Sequence, residues 1–348
     1  MIVTQRILNR TLLARQHLLA RVVRDPLDMT EHLLGLQAQA TLPPYLSLHA
    51  RITGFDPAEF SRAIAERRIV RLLLMRGTVH AVTPADAATL RPFVQPMLDK
   101  LTRSSAVSRH AAGVSRGDLL AAGRALFADG PLGPTEVGAR LAERFPGVPG
   151  SALADTLRLS MPLVQLPPRG LWQQGGAVVY DTLSNWIGPV PEPASATDVV
   201  RRYLRAFGPA TAADISAWSR ITGAAGILTG LGDELVRYRT DTGGTVVDLA
   251  GLSLADRDTP APVRLLGQYD NVWLSHAGRD RVTPADARKR WMGANGGVAN
   301  TVFVDGTLGG LWRRTASGAV DLEMFARPTR AQQRELDAEV AAIGDLLI

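Results

Sequence analysis

Gln37 and Gln39 stand one residue apart in the segment Leu34-Gly35-Leu36-Gln37-Ala38-Gln39-Ala40. On a helix, side chains at i and i+2 point about 200° apart; on an extended segment they share one side. The segment follows a short helix expected over Asp28 to Leu36 and precedes Pro43-Pro44, so its backbone is leaving helical geometry. Two readings stay open on spacing alone. Both amides face one cleft, or the pair is polar cover for a helix end.

Other residue types exclude more than they offer. The chain has 348 residues and no cysteine, which removes disulfides, thiolate-bound zinc and iron–sulfur clusters. Only Lys100 and Lys289 are lysines, so Schiff-base chemistry has two side-chain candidates plus the N-terminal amine. The six histidines form no HxxxH or HExxH pattern, and no metal or cofactor is expected. Gly296-Gly297 and Gly309-Gly310 lack the strand–helix setting of a phosphate loop. Asp270, Ser275 and His276 have the residue types of a hydrolase triad, but no nucleophile elbow surrounds Ser275. Asp270 and Asn271 are expected to organise a turn instead.

The charge is basic, formally +6, and carried by arginine. An always-charged planar fork suits phosphate, although a GC-rich genome alone would enrich arginine. Placement says more than the total. Residues 62–80 hold five arginines, Arg71 and Arg76 among them, and His80, against Glu66 alone. Residues 101–116 hold Arg103, Arg109, His110 and Arg116 with no acid, and Ser104, Ser105 and Ser108 as hydroxyl donors. A charge run is usually a solvated face. Two runs flanking one hairpin favour a duplex-binding surface that weakens steeply with salt. No apolar h-region opens the chain and no stretch nears ~18 uninterrupted apolar residues, so a cytoplasmic protein with no membrane partner is expected.

The elements that must position these residues recur in three rounds of helices followed by a β-ribbon. The first round has a helix through Leu8 to Leu19, with a start signal at Asn9-Arg10-Thr11, and another opened by Asp56 as N-cap and Pro57 at N1. Its hairpin joins Ile69–Met75 to Thr78–Val82. The second round has helices over 118–127, 134–145 and 151–161 and a hairpin turning at Pro167-Pro168-Arg169-Gly170. The third has helices over 199–207, 212–219 and 222–234, then strands 235–239 and 245–249. Three helices and a ribbon make the winged-helix arrangement, a helix-turn-helix variant. Beyond about residue 261, β-prone runs at 263–266, 272–274, 301–304 and 319–322 precede a helix over 329–346. The expected fold is α+β: winged-helix units at 1–102, 103–190 and 191–255, then a β-barrel-like region with a terminal helix at 256–348. Linkers are expected at 103–117 and 187–197.

The segments LNRTLLARQ, LLGLQAQ, LMRGTVHAVTPAD, GPATAADISAW, YDNVWLSHAGRDRV and VFVDGTLGGLW together resemble the bacterial winged-helix family of AlkZ-type DNA glycosylases, in order and over nearly the whole chain. The resemblance implies a basic concave surface for double-stranded DNA and a catalytic motif of glutamine, an aliphatic residue, then glutamine or aspartate. Gln37 and Gln39 match its Gln-x-Gln form, which in the family removes N7-alkylguanines and unhooks interstrand crosslinks, a form of self-resistance to alkylating natural products. Gly267-Gln268 departs from the Pro-Glu common in relatives. The chemistry is consistent without a carboxylate. An N7-alkylated guanine already carries positive charge and leaves with little help, so two amides that hold a water and donate to substrate can suffice. Two lysines outside the motif imply a monofunctional enzyme that leaves an intact abasic site. The expected phosphate and groove contacts are Arg71, Arg76, Thr78, His80, Arg103, Arg109, Arg116 and Arg169, in a monomer. The competing reading is a non-enzymatic regulator or lesion-shielding protein on the same scaffold.

Overall fold

The computed structural model describes residues 2–287, 290–291 and 298–347. Lys289 and the Gly296-Gly297 pair lie outside them.

The fold is α+β, and its most consequential join is between two ribbons. Val70–Leu73 and Val79–Val82 pair antiparallel around a 3-10 turn at Met75–Gly77. Leu163–Gln165 pairs with Tyr180–Thr182. The two ribbons meet edge to edge where Leu72 faces Val164, and Leu36–Gln37 adds to the outer side of Val79–Val82. The result is one five-stranded antiparallel sheet. Every residue of both strands of the first ribbon is buried, because helices cover the sheet on both faces.

A 21-residue helix, Pro84–Ser104, leaves this sheet. Thr83 caps it, its side chain accepting from the Asp86 N–H, and Pro84 sits at N1. The helix runs through the start of the expected linker. Helices Arg116–Ala128, Pro134–Arg144 and Gly150–Ser160 then pack around their own apolar cluster with Phe127 and Leu153 at its centre. Helices Ala196–Phe207, Ala212–Ser219 and Ala224–Gly230 lead into the ribbon Leu235–Thr240/Thr245–Leu249, to which Ile2–Val3 adds in parallel.

Several local expectations need correcting. The first helix is Gln5–Arg15 and starts at Thr4; Asn9, Arg10 and Thr11 are buried inside it. The second is Pro26–His32, capped by Asp25, and leaves Leu36 to a strand. Asn271–Leu274 is a short helix rather than a strand, because Asp270 caps it by accepting from the Val272 N–H. The C-terminal sheet is open, not barrel-like: its order is Val320–Met324, Thr307–Arg314, Asn300–Val304, Arg264–Leu266, all antiparallel, and no sheet closes among the described residues. Helix Arg330–Leu347 packs on it through Leu336 and Ile343.

Candidate functional site

The backbone entering the Gln-x-Gln segment is bent by two left-handed residues, Leu34 (φ 53°) and Gly35 (φ 93°). A Cβ on Gly35 would lie 2.5 Å from a Val82 methyl, so only glycine fits. The bend is held from the far end of the chain. The Asn271 amide donates to the carbonyls of Leu33 (3.2 Å) and Gly35 (2.9 Å). Its neighbour Asp270 makes two 2.7 Å bonds to Arg51, both side chains fully buried. Asp270 therefore serves the scaffold. Ser275 Oγ and His276 Nδ1 lie 3.0 Å apart, but His276 Nε2 faces Arg281, so the three do not form a triad.

Past the left-handed pair Leu36–Gln37 is a short strand along Val79–Val82, and Gln39 follows in a bend at the end of that strand. Gln37 stands opposite His80 in register and is 5 % exposed. Gln39 is exposed, and its side-chain oxygen accepts from the Val79 N–H at 3.2 Å. The Ala38 N–H donates to the Val79 carbonyl at 2.7 Å between them.

Arg76 organises the Gln37 side. It occupies a left-handed conformation (φ 60°) at the ribbon turn, which costs a non-glycine residue on the order of 1–3 kcal/mol. From there its guanidinium turns inward, donating to the Trp218 carbonyl, to Gln37 Oε1 at 2.8 Å and toward His80 Nε2 at 3.1 Å. Arginine only donates, so Gln37 must present its oxygen to Arg76, and His80 Nε2 must be the acceptor. His80 Nδ1–H then donates to the Thr78 carbonyl at 2.9 Å. Burial, reinforced by the Arg76 charge, pushes the His80 pKa down to about 3, so the ring is neutral. Burial also lowers Arg76, to about 9, helped by Arg279 and Arg220. Among the described residues neither glutamine NH₂ has a hydrogen-bond partner. Each oxygen keeps a lone pair beyond the donor it already accepts.

The expected DNA contacts divide. Arg71 is buried, donating to the carbonyls of Arg169 (2.8 Å) and Ala38 (3.0 Å). It therefore ties the second ribbon's loop to the glutamine segment and offers no charge to a surface. His80 is buried and Arg76 points inward, as described. Thr78 and Arg169 are partly buried, with Thr78 Oγ1 on the Met75 carbonyl and Arg169 Nη1 on the Gly176 carbonyl. Arg103, Arg109 and Arg116 are exposed and line one cavity of about 280 Å³ at the end of helix Pro84–Ser104. The serines expected beside them serve the protein: Ser108 donates to Asp155 at 2.7 Å, and Ser105 accepts from the Ser108 N–H. No group of three or more His, Cys, Asp or Glu able to hold a metal occurs among the described residues. No helix among them is long and apolar enough to cross a membrane.

Residue spacing did not disclose Arg220 and Arg279. Both stand apart from the basic runs, and helix Ala212–Ser219 brings them to the Gln37 side.

A family model described as DNA glycosylase AlkZ-like matches residues 30–346. An interstrand DNA cross-link repair glycosylase of Streptomyces sahachiroi is 27% identical over 340 residues, covering 90% of this chain and 87% of the relative. The solved structure of Streptomyces sahachiroi DNA glycosylase AlkZ superposes with a TM-score of 0.81 at 23% identity, over 99% of this chain and 96% of that one, and this likeness concerns the fold. The length of the family match, across the glutamine segment and the C-terminal residues that hold it, places this chain in the AlkZ-like DNA glycosylase family.

Proposed function

We propose that this chain is a monofunctional DNA glycosylase that hydrolyses the N-glycosidic bond of cationic N7-alkylguanine in double-stranded DNA. Unhooking of interstrand crosslinks belongs to the same proposal, supported by the cross-link repair in the name of the Streptomyces relative. Gln37 and Gln39 are its catalytic residues. The observation that carries this reading is the Arg76 bond to Gln37 Oε1, with the neutral His80 beside it. It fixes a nearly buried amide so that its NH₂ is free to donate to substrate. The remaining lone pair on either oxygen can accept from the attacking water. A lesion that already carries charge needs no strong general acid, and neither amide can act as one.

In this proposal the three helix-and-ribbon rounds are winged-helix units at 1–102, 103–190 and 191–255, and 256–348 supports the glutamine bend. Arg103, Arg109, Arg116 and Arg169 contact phosphates. Arg71, Arg76 and His80 position the glutamines. The protein acts as a monomer in the cytoplasm at the nucleoid. Lys100 lies exposed on helix Pro84–Ser104, outside the motif, so no amine is assigned to a lyase step.

The test is excision from a duplex holding one N7-methylguanine, read as strand scission after alkaline treatment. The parent protein should give scission above the no-enzyme control, and Gln37→Ala/Gln39→Ala should lose at least a hundredfold in rate. Borohydride should trap no covalent adduct. Parent protein without excision that shifts unmodified DNA sequence-specifically at ~0.15 M salt would instead make it a regulator.

A further inference from the structure

The Gln37 side of the site carries more positive charge than the described protein neutralises. Helix Ala212–Ser219 is the hub. Arg76 donates to the carbonyl of Trp218, in its last turn. Arg220 follows as the C-cap residue, left-handed (φ 65°) and exposed. Asp214, one turn before Trp218 on the same face, accepts from the Ala277 N–H at 2.9 Å and so holds the loop carrying Arg279 two residues on. Helix Ala212–Ser219 thus gathers arginines from three distant parts of the chain, and the charges of Arg279 and Arg220 add to burial in lowering Arg76.

Two observations show that this cluster is short of anions. Nε and Nη1 of Arg279 are buried and have no hydrogen-bond partner among the described residues. An orphaned donor of this kind is costly and rare in folded proteins. Asp214, the carboxylate facing Arg279, is already engaged, since it also accepts from the Thr211 N–H and hydroxyl at 2.8 Å each. Its charge offsets part of that of Arg279, but it makes no hydrogen bond to it, and Arg76 and Arg220 have no carboxylate partner among the described residues.

We propose that Arg220 and Arg279 form an anion seat beside Gln37, and that its ligand is a backbone phosphate of the lesion-bearing DNA strand. The inference rests on the DNA reading above and adds a role that neither basic run supplies. Arg279 offers two pre-placed N–H donors, and Arg220 closes over the phosphate from the exposed helix end. The seat also solves an electrostatic difficulty. A cationic base binds beside Gln37, and its positive charge passes to the sugar as the bond to the base breaks. Three arginines with a single carboxylate facing them among the described residues would oppose both states. A bound phosphate offsets them, so the site becomes permissive only when the strand is seated.

The experiment uses the full chain and a duplex with one N7-methylguanine, comparing parent, R220Q, R279Q, R279K and R334Q. Binding is measured against salt, and single-turnover excision is measured at saturating protein. Each Gln variant at the seat should reduce the slope of log affinity against log salt by about 0.9, the value for one phosphate contact on B-DNA. R279K should restore the slope. At saturation R279Q should excise at least tenfold more slowly than parent, whereas R334Q, at an exposed position on the C-terminal helix, should match parent. A melting temperature near the parental one separates these effects from misfolding. Should R279Q fail to fold, the exposed R220Q alone decides the slope. Unchanged slopes in R220Q and R279Q overturn the seat, as does a parent that binds no DNA. A parent that excises while both slopes stay unchanged sinks the seat and leaves the glycosylase. A parent that never excises while both slopes fall does the reverse.

Discussion

Residues 62–80 and 101–116 are both short, arginine-rich and poor in acid, yet they do opposite things. In the first run the protein engages its own charge. Arg67 lies over the Trp186 ring and donates to its carbonyl, Arg68 pairs with Glu66, Arg71 bridges two carbonyls, and Arg76 grips Gln37. In the second run Arg103 and Arg109 are exposed on a helix end and a turn, at the rim of one cavity. The cause is local geometry. A central strand covered on both faces has no solvent side, so Arg71 must find acceptors inside. A helix terminus leaves long side chains in water. Basic residues on strands of a buried sheet are therefore structural candidates, and those on helix ends are ligand candidates.

The largest effect that would break this contrast is on stability. Arg71→Met removes two buried donors and leaves the carbonyls of Arg169 and Ala38 without them. The expected loss is about 3 kcal/mol or more, since each orphaned buried acceptor costs roughly 1–3 kcal/mol. Arg109→Met should stay within about 0.5 kcal/mol. Urea titration of both variants checks this, and equal midpoints would erase the distinction between the runs.

The first run also sets an acid limit. His80 remains neutral in the folded protein down to about pH 3, whereas an unfolded histidine protonates near 6.5. Between those values the unfolded state binds the extra proton, so stability present above pH 6.5 is lost as pH falls. His17 and His49, both lowered by burial to about 4, act in the same direction. By pH 4.5 the His80 contribution alone is roughly 2–3 kcal/mol. A urea midpoint as high at pH 4.5 as at pH 7 would contradict the buried, neutral imidazole.

How much of this was legible depended on whether the signal was local. Asp56 and Pro57 open helix Pro57–Ala65 as their types require, and the chain does leave helical geometry before the proline pair, though only Leu36–Gln37 is strand and Gln39 lies in a bend. Helix Pro84–Ser104 was missed although Thr83 and Pro84 announce it. Pro92 and Pro96 inside it, residues that ordinarily interrupt a helix, are exposed one turn apart on the solvent side, where the lost hydrogen bonds are tolerated. The apolar Val272–Leu274 read as strand because periodicity cannot decide so short a run. The partners that give Gln37 its orientation were out of reach. Arg76 is 39 residues away, and another of its acceptors, Trp218, is 142 residues further on. Composition marks a basic run but not the direction in which each guanidinium points.

The smallest effect gives the finest version of the contrast, because the second run is not wholly free. Arg116 pairs with Asp99 at 2.8 Å, with Arg116 half exposed, whereas Arg103 and Arg109 have no ion pair among the described residues. Such a surface pair contributes about 0–1 kcal/mol to folding, so Asp99→Asn should melt within a degree or two of parent. Its consequence lies in binding. A phosphate reaching Arg116 must compete with the Asp99 carboxylate and is repelled by it, and removing that charge relieves both. Asp99→Asn should therefore tighten duplex binding by about two- to threefold at ~0.1 M salt, while Arg103→Gln and Arg109→Gln each lower the salt slope by about 0.9. Arg116→Gln should lower it by less. If Asp99→Asn weakens binding instead, the carboxylate is holding Arg116 in its DNA-contacting pose, and the second run, like the first, depends on an internal partner to aim its charge.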